Sequence, residues 1–133
     1  MHRGRLVFLK DLDSNRYWTG NPQPGEKAFK EFWCRQEPGI SEIHAVRNGV
    51  KFRMRAFIPP DSEVEIWTVT LQNLTSRKLR LAVVPTVEFP VRKIHWHFTG
   101  TYLKDFQAVY FRDTNRERPT GSFFACDRPV KRF

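Results

Sequence analysis

Two histidines flank a tryptophan in His95-Trp96-His97, the pattern in this sequence that comes nearest to a metal site. In an extended strand both imidazoles lie on one side of the chain, as two ligands of one metal ion would. Zinc needs three or four ligands, and Asp105, His44 or Glu88 would have to be brought in by the fold. A polar loop with aromatic packing explains the segment more simply, so the sequence predicts no metal site.

The carboxylates show no spacing that is typical of catalysis. Asp11 and Asp13 lie in the turn sequence Asp11–Asn15, where Asp, Ser and Asn side chains bond the nearby backbone. Glu63 and Glu65 lie on one face of a predicted strand, and we expect both in solvent. The sequence also lacks a nucleophile elbow, a phosphate-binding glycine loop and an HExxH motif. It therefore predicts no catalytic residue and no cofactor in this chain.

Aromatic rings offer a second kind of chemistry, because their apolar faces can stack on the CH groups of sugars. Of the four tryptophans, Trp67 alternates with apolar neighbours and is predicted to lie in a core. Trp18 follows a turn and precedes a proline-rich loop, so we predict an exposed ring that contacts carbohydrate or a neighbouring domain. A coplanar row of exposed rings would make a stand-alone carbohydrate-binding module, which is the alternative function.

The two cysteines, Cys34 and Cys126, are far apart in sequence and form neither a CxxC pair nor a zinc spacing. We predict two buried free thiols, as expected in a reducing compartment. The apolar run 6–9 is too short for the core of a signal peptide, and no window approaches the roughly 18 apolar residues of a membrane helix. We therefore expect a cytoplasmic protein without a membrane partner.

The net charge of +9 raises the hypothesis of a basic, nucleic-acid-binding β-protein. Such a protein would bind DNA or RNA with an affinity that falls steeply with salt. The basic residues, however, alternate with apolar ones along predicted strands, as Lys51, Arg53, Arg55, Lys78 and Arg80 show. This spacing is typical of the solvated face of a sheet, so nucleic acid is the less favoured partner.

The stretch from residue 40 to residue 88 organises the predicted fold. Asn48-Gly49 joins its first two strands and is the strongest short-range signal of a β-hairpin, because a type I′ turn needs positive φ at both central residues. The second strand alternates between apolar and basic residues, and its apolar positions are Val50, Phe52, Met54, Ala56 and Ile58. We predict one antiparallel meander from strands 40–47, 50–58, 63–72 and 78–88.

Shorter strands are predicted on both sides of this stretch, at 5–10, 16–19, 28–35, 106–112 and 120–126. Residues 89–105 contain Pro90 and Gly100 and receive no assignment, and no helical period exceeds two turns. Many short strands with turn signals at roughly ten-residue spacing predict an all-β fold, either an antiparallel β-sandwich or a barrel. A length of 133 residues predicts one domain, 1–133.

Taken in order, these residues resemble the N-terminal β-sandwich of glycoside hydrolase family 94, formerly glycosyltransferase family 36. Residues 4–18 have the family's strand, Asp-rich turn and Tyr-Trp, and Phe32-Trp33-Cys34-Arg35 is similar to its Tyr-Glu-Cys-Arg. Further matching segments follow in the same order and spacing: Asn48-Gly49-Val50, Phe57-Ile58-Pro59, Val64–Trp67, Val69–Thr75 and Val87-Glu88-Phe89. The resemblance covers residues 4–89 and fades over 90–133.

The resemblance implies an incomplete supersandwich, similar to galactose mutarotase-like domains. The family includes cellobiose, chitobiose and cellodextrin phosphorylases and the phosphorylase part of cyclic β-1,2-glucan synthases. In these enzymes the sandwich precedes a helical α/α barrel that carries the general-acid Asp. The enzymes cleave a β-glucoside with inorganic phosphate as the second substrate and invert the anomeric centre. By this resemblance Trp33 and Arg35 join Trp18 as candidate contacts to carbohydrate or to a neighbouring domain.

Two departures limit what the resemblance implies. The 133 residues contain no helical barrel, so no catalytic Asp is carried over, and Cys34-Arg35-Gln36-Glu37 stands where the family has Cys-Arg-His-Gly. We therefore expect a structural or substrate-positioning domain for carbohydrate metabolism that is inactive alone. Its expected partners are carbohydrate and a barrel on the same or a separate chain. Uncovered sheet edges of an incomplete sandwich also predict a homo-oligomer.

Overall fold

The computed structural model of the chain describes residues 5–21, 28–87, 98–113 and 121–128. The chain divides into two compact units, Met1–Glu88 and Phe89–Phe133. The sequence predicted one domain, 1–133, without this division. The boundary after residue 88 lies where the family resemblance ends, at residue 89. His95-Trp96-His97 lies outside the described residues.

The first unit consists of two antiparallel sheets. Its strands are β1 (Arg5–Asp11), β2 (Tyr17–Thr19), β3 (Glu31–Glu37), β4 (Ile40–Arg47), β5 (Val50–Phe57), β6 (Ile66–Asn73) and β7 (Leu81–Val87). A three-stranded sheet has the order β2-β1-β7, and a four-stranded sheet has the order β3-β4-β5-β6. All neighbouring strands run antiparallel, which confirms the predicted fold class.

The second unit contains one three-stranded antiparallel sheet among its described residues. Its elements are β8 (Phe98–Leu103), a 3-10 turn (Lys104–Phe106), β9 (Ala108–Asp113) and β10 (Gly121–Ala125), and the strand order is β10-β9-β8. The predicted strand 106–112 therefore begins two residues later than expected, after the helical turn. No helix in the described ranges has the length and hydropathy needed to cross a membrane.

The Asn48-Gly49 turn sets the register of the four-stranded sheet. Asn48 and Gly49 have φ of 52° and 73°, so both central residues are left-handed, as a type I′ turn requires. Arg47 therefore lies opposite Val50, and each later pair along β4 and β5 follows from that pair. The predicted hairpin is confirmed, with strand ends within one residue of the expected positions.

The core lies between the two sheets. Alternate residues of β5 point inward, and the buried cluster comprises Val50, Phe52, Met54 and Ala56 with Ala45 from β4 and Val7, Leu9 and Trp18 from the other sheet. This confirms the predicted alternation and the packing of Trp67, which lies against the cluster. Ile58 differs from the prediction: it lies past the end of β5 and is 52% exposed.

A close contact between Phe52 and Gly20 brings the two sheets together. The N–H of Gly20 donates to the carbonyl of Val7 at 2.7 Å, which extends the pairing of β1 and β2 by one residue. A Cβ atom on Gly20 would lie 2.3 Å from Cε2 of Phe52, inside van der Waals contact. Only glycine therefore lets the Phe52 ring, which is 2% exposed, fill this part of the core.

The predicted place of residues 78–88 in the meander is wrong. β7 pairs with β1 along its whole length, so the chain crosses to the other sheet instead of returning beside β6. The connection is held at both ends, because Leu74 N–H donates to Gly49 at 2.8 Å and Leu12 N–H donates to Arg80 at 2.9 Å. Turn residues predict that a chain reverses, but they do not specify which distant strand it then joins.

The Asp11–Asn15 turn forms as predicted. The carboxylate of Asp11 accepts hydrogen bonds from the N–H of Asp13 at 2.9 Å and from the hydroxyl of Ser14 at 2.8 Å. Asp13 in turn pairs with Arg80, next to the start of β7. The bond from the Asp13 backbone, with that from the Ser14 hydroxyl, lowers the pKa of Asp11, so the turn is built on an ionised carboxylate.

Glu65 differs from the prediction that it is solvated on a strand. β6 begins at Ile66, and the Glu65 side chain is only 21% exposed. It accepts hydrogen bonds from the indole N–H of Trp67 and from the guanidinium of Arg5 in β1. Glu65 thus links the two sheets, while Glu63 is exposed as expected.

The cysteines are free, as predicted, but neither is buried. Cys34 lies in β3, whose seven residues are all exposed. Cys126 lies directly after β10, where its N–H donates to the Gln107 carbonyl at 3.2 Å. A small apolar side chain predicts burial only when its strand lies inside a sheet, and β3 is at an edge.

Replacement of Gly20 by Ala should destabilise the first unit by about 1–3 kcal/mol, since the new methyl group overlaps the Phe52 ring. Urea unfolding would measure this. In a Phe52→Leu background, which removes part of the ring, the same Gly20→Ala change should cost less. Equal costs in the two backgrounds would show that the contact does not limit packing. Ser76→Ala, at an exposed site, is the control.

Candidate functional site

The outer surface of the four-stranded sheet carries most of the charged side chains of the first unit's strands. Since inner residues alternate with outer ones, Ala45 and Phe52 face the core while His44 and Arg53, which lie opposite each other, face away. We call this surface the polar face; it comprises Glu31, Trp33, Arg35, Glu37, Ile40, Glu42, His44, Lys51, Arg53 and Arg55. Two of the three predicted site residues, Trp33 and Arg35, lie on it.

Trp33 packs edge-on against His44 on the polar face. The two residues lie opposite each other on β3 and β4, and their ring centroids are 5.2 Å apart at an angle of 63°. Trp33 remains 43% exposed, whereas Nε2 of His44 is buried and has no hydrogen-bond partner in the described parts of the chain. The tryptophan therefore covers the imidazole and presents part of its own ring to solvent. This agrees with a structural role for His44.

Ion pairs connect the charged residues of the polar face. Arg35 pairs with Glu37 two residues along the same strand, and Arg53 donates to Glu42 across the sheet at 2.8 Å. The hydrogen bond from Arg53 lowers the pKa of Glu42, and the positive charge of Arg55 acts in the same direction. The Glu42 carboxylate is thus held ionised beside Arg53.

A shallow depression of about 120 Å³ lies among these groups, lined by Arg35, Glu37, Ile40, Glu42 and Arg55. The guanidinium of Arg55 lies 5.3 Å from the centre of the Phe57 ring, a cation–π arrangement that fixes its orientation. The depression is therefore lined by two guanidinium groups and two carboxylates. Such a set can bond the hydroxyl groups of a sugar or the polar surface of another domain.

Trp18 does not belong to this site. Its ring is 6% exposed because Trp18 lies opposite Leu9 in the three-stranded sheet, where both side chains face the core. The prediction of an exposed ring is therefore wrong, and the ring has no open face for stacking on a sugar. A proline-rich loop follows it in sequence, but the strand register determined its burial.

No group of three or more His, Cys, Asp and Glu side chains that could hold a metal is found within the described ranges. Sequence reasoning missed the part that Glu42 and Arg55 play in the depression. The signal was present, because the Asn48-Gly49 turn places these two residues opposite each other. The residues around Glu42 and Arg55 do not by themselves predict that Trp33 and Arg35 lie beside them, because those two side chains come from β3.

Comparison with known proteins gives a family match over nearly the whole chain. The family described as "Glycosyl hydrolase 94, supersandwich domain" matches residues 2–131. The chain is 27% identical to solabiose phosphorylase of Paenibacillus borealis over 86% of its own length, which is 16% of that protein. It is 28% identical to cellobionic acid phosphorylase of Neurospora crassa over 96% of its length, which is 17% of that protein.

A third relative is N,N'-diacetylchitobiose phosphorylase of Vibrio proteolyticus, which is 31% identical over 65% of this chain and 11% of its own length. The 133 residues thus span less than a fifth of each of these curated relatives.

Substitution of Arg53 by Gln should raise the pKa of Glu42, because it removes the hydrogen bond that lowers it. A carboxyl with a depressed pKa stabilises the fold above its unfolded pKa, and this contribution is lost as pH falls through the folded pKa. Wild type should therefore be more stable than the variant at neutral pH, and the difference should shrink below the ordinary value of 4.5.

NMR titration of the Glu42 carboxyl and urea unfolding across pH 2 to 7 would measure the two effects. Lys51→Gln is the matched control, since it removes a positive charge from the same face but leaves the Arg53–Glu42 bond in place. A difference that stays constant through the acid range would contradict the assignment.

Proposed function

Because the chain belongs to the glycosyl hydrolase 94 supersandwich domain family, we propose that it forms the N-terminal, non-catalytic β-sandwich of a glycoside phosphorylase. The match over residues 2–131 is the observation that carries this proposal. The domain positions substrate or supports the catalytic part, which is a helical α/α barrel on the same or a separate chain.

The small share of each relative's length that this chain covers supports a non-catalytic role for this domain. With 16% and 17% of two phosphorylases matched, most of each relative lies outside this domain. On the polar face, Glu37 and Glu42 are paired with Arg35 and Arg53, so neither is placed to protonate a leaving group. The general acid and the phosphate site are therefore expected on the barrel.

The relatives' names support a sugar substrate. They are named for solabiose, diacetylchitobiose and cellobionic acid. We propose that the whole enzyme cleaves a β-glucoside by transfer to inorganic phosphate, in the cytoplasm, without a further cofactor. Inversion at the anomeric carbon would then release an α-glycosyl phosphate.

The polar face is the proposed contact surface of this domain. Trp33 supplies a partly exposed ring, and Arg35 lines the depression beside it with Glu37, Glu42 and Arg55. Stacking by the ring and hydrogen bonds from the charged groups suit carbohydrate, and they equally suit the polar surface of the barrel at a substrate cleft. A partly charged, hydrogen-bonding surface is typical of contacts between domains of one enzyme.

The chain alone should release no glycosyl phosphate from cellobiose, chitobiose or cellobionic acid in the presence of phosphate. A shortened form of the fungal relative that lacks its matching segment should also be inactive. Adding this chain, or fusing it in place of the segment, should restore phosphorolysis, which a glucose 1-phosphate assay measures.

Trp33→Ala should lower the restored activity by about tenfold, the order of one lost hot-spot contact. Tyr17→Ala is the matched control, because it removes an exposed ring from the other sheet. Phosphorolysis by the chain alone would refute the non-catalytic role. Loss of activity in the Tyr17 variant but not in the Trp33 variant would place the contact elsewhere.

A further inference from the structure

The three-stranded sheet β10-β9-β8 of the second unit has two unlike faces. Since alternate residues of a strand share a face, the strand register assigns each side chain to one of them. One face is half-buried and carries Tyr102, Val109, Phe111 and Phe124. We call the opposite side the Phe123 face, and two adjacent rows across it are Thr101, Tyr110 and Phe123, then Thr99, Arg112 and Gly121. All of these except Tyr110 are exposed, so this is the open side of the sheet.

Two aromatic rings stand together on the Phe123 face. Tyr110 and Phe123 lie opposite each other on β9 and β10, and their ring centroids are 4.8 Å apart with the planes inclined by 34°. Rings this close overlap face to face, because rings lying side by side need a wider separation. One face of the Phe123 ring therefore rests on Tyr110, yet the residue remains 67% exposed. Its other face is open to solvent, as a stacking surface requires.

Gly121 leaves space beside this pair of rings. A Cβ atom on Gly121 would lie 2.5 Å from the Tyr110 hydroxyl and 2.6 Å from Cε2 of the same ring. The Tyr110 ring thus leans across β10 at the glycine. A side chain at position 121 would displace it and would also fill the place beside Phe123, since residues 121 and 123 share a face. The Tyr110 hydroxyl, which can donate and accept, is therefore held next to the exposed ring.

Arg112 borders the same space from β9. It lies opposite Gly121, which makes it a diagonal neighbour of Phe123, about 7 Å away and within reach of a long side chain. In the described parts of the chain Arg112 forms no ion pair. On the polar face, by contrast, Arg35 and Arg53 are paired with glutamates. The Arg112 guanidinium is thus available to donate hydrogen bonds to a ligand.

Threonine hydroxyls complete the polar border on β8. Thr101 lies opposite Tyr110, and Thr99 lies on the same face one row further along. The Phe123 face thus combines one free aromatic surface with hydroxyls and a guanidinium. A purely apolar partner would bury these polar groups without bonding them, which costs free energy. The ligand that fits has to offer C–H groups and hydroxyls at the same time.

We propose that the Phe123 face binds a β-linked gluco-oligosaccharide. The hydroxyls and linkages of such a chain are equatorial, so both faces of each sugar ring present C–H groups, and one of these faces stacks on Phe123. The equatorial hydroxyls then reach the Arg112 guanidinium and the hydroxyls of Tyr110 and Thr101. The site anchors a saccharide and takes no part in its cleavage. It lies in the second unit, whereas the polar face lies in the first, and it rests on the geometry of the second unit alone.

NMR titration of the full, ¹⁵N-labelled chain with cellotetraose tests this site. The amide signals of residues 99–101, 110–112 and 121–123 should shift together, with a dissociation constant of about 1 mM, as expected for one stacked ring and a few hydrogen bonds. Maltotetraose should bind several-fold more weakly, because its axial linkages obstruct one face of each ring. Absence of shifts in these residues, or maltotetraose binding as tight as cellotetraose, would overturn the proposal.

Variants of Phe123 separate ring stacking from simple apolar contact. Phe123→Ala and Phe123→Leu should both raise the dissociation constant by about tenfold or more, since neither keeps a flat ring, whereas Phe123→Tyr should bind as wild type. Phe106→Ala is the matched control, because Phe106 is 75% exposed but lies in the 3-10 turn of the same unit. Wild-type binding by folded Phe123→Ala, or equal weakening by Phe106→Ala, would contradict stacking on Phe123.

Trp33→Ala distinguishes this site from the proposed contact on the polar face. It should leave the cellotetraose shifts of the Phe123 face unchanged. If the shifting amides lie instead around Trp33 and Arg35, and Trp33→Ala abolishes them, the Phe123 site is refuted while the proposed function stands. Conversely, cellotetraose binding at Phe123 needs neither phosphate nor a barrel, so failure of the phosphorolysis assays would leave it intact.

Discussion

The packing of the Phe52 ring over Gly20 is the contact on which the first unit depends. It is made between the four-stranded sheet and the segment that follows β2, and no side chain other than hydrogen fits at position 20. The contact brings the inner face of β5 against Val7, Leu9 and Trp18, which together exclude water from the core. Burial of such side chains contributes about 1.5–3 kcal/mol each and is the main force that holds two sheets together.

The polar face follows from this packing by alternation. Because Phe52, Met54 and Ala56 point into the core, Arg53 and Arg55 must point away from it. The same rule places Glu42 and His44 beside them on β4. A charged surface with fixed ion pairs is therefore the outer side of an apolar core, and a single register determines both.

The transfer of β7 to the other sheet shapes what the domain can contact. β7 pairs with β1 and forms one edge of the three-stranded sheet. The Leu12 N–H bond to the Arg80 carbonyl holds the Asp11–Asn15 turn beside the start of β7. At one edge of the four-stranded sheet, the outward N–H and C=O groups of β3 have no partner strand within the described structure. The sandwich thus joins a closed core to an open edge and a polar face, which is a suitable arrangement for a domain that acts beside another part of an enzyme.

Local signals in the sequence determined the hairpin at Asn48-Gly49, the alternation along β5, the Asp11–Asn15 turn and the all-β class, because each depends on residues close together in the chain. The ordered series of short motifs also predicted the family, which the match over residues 2–131 confirms. Only the tertiary structure decided that β7 joins β1, that Trp18 is buried, that Glu65 links the sheets and that Cys34 is exposed. Each of these depends on a partner strand far away in sequence, and the pairing of distant strands is set by the fit of the whole core rather than by the residues of any one strand.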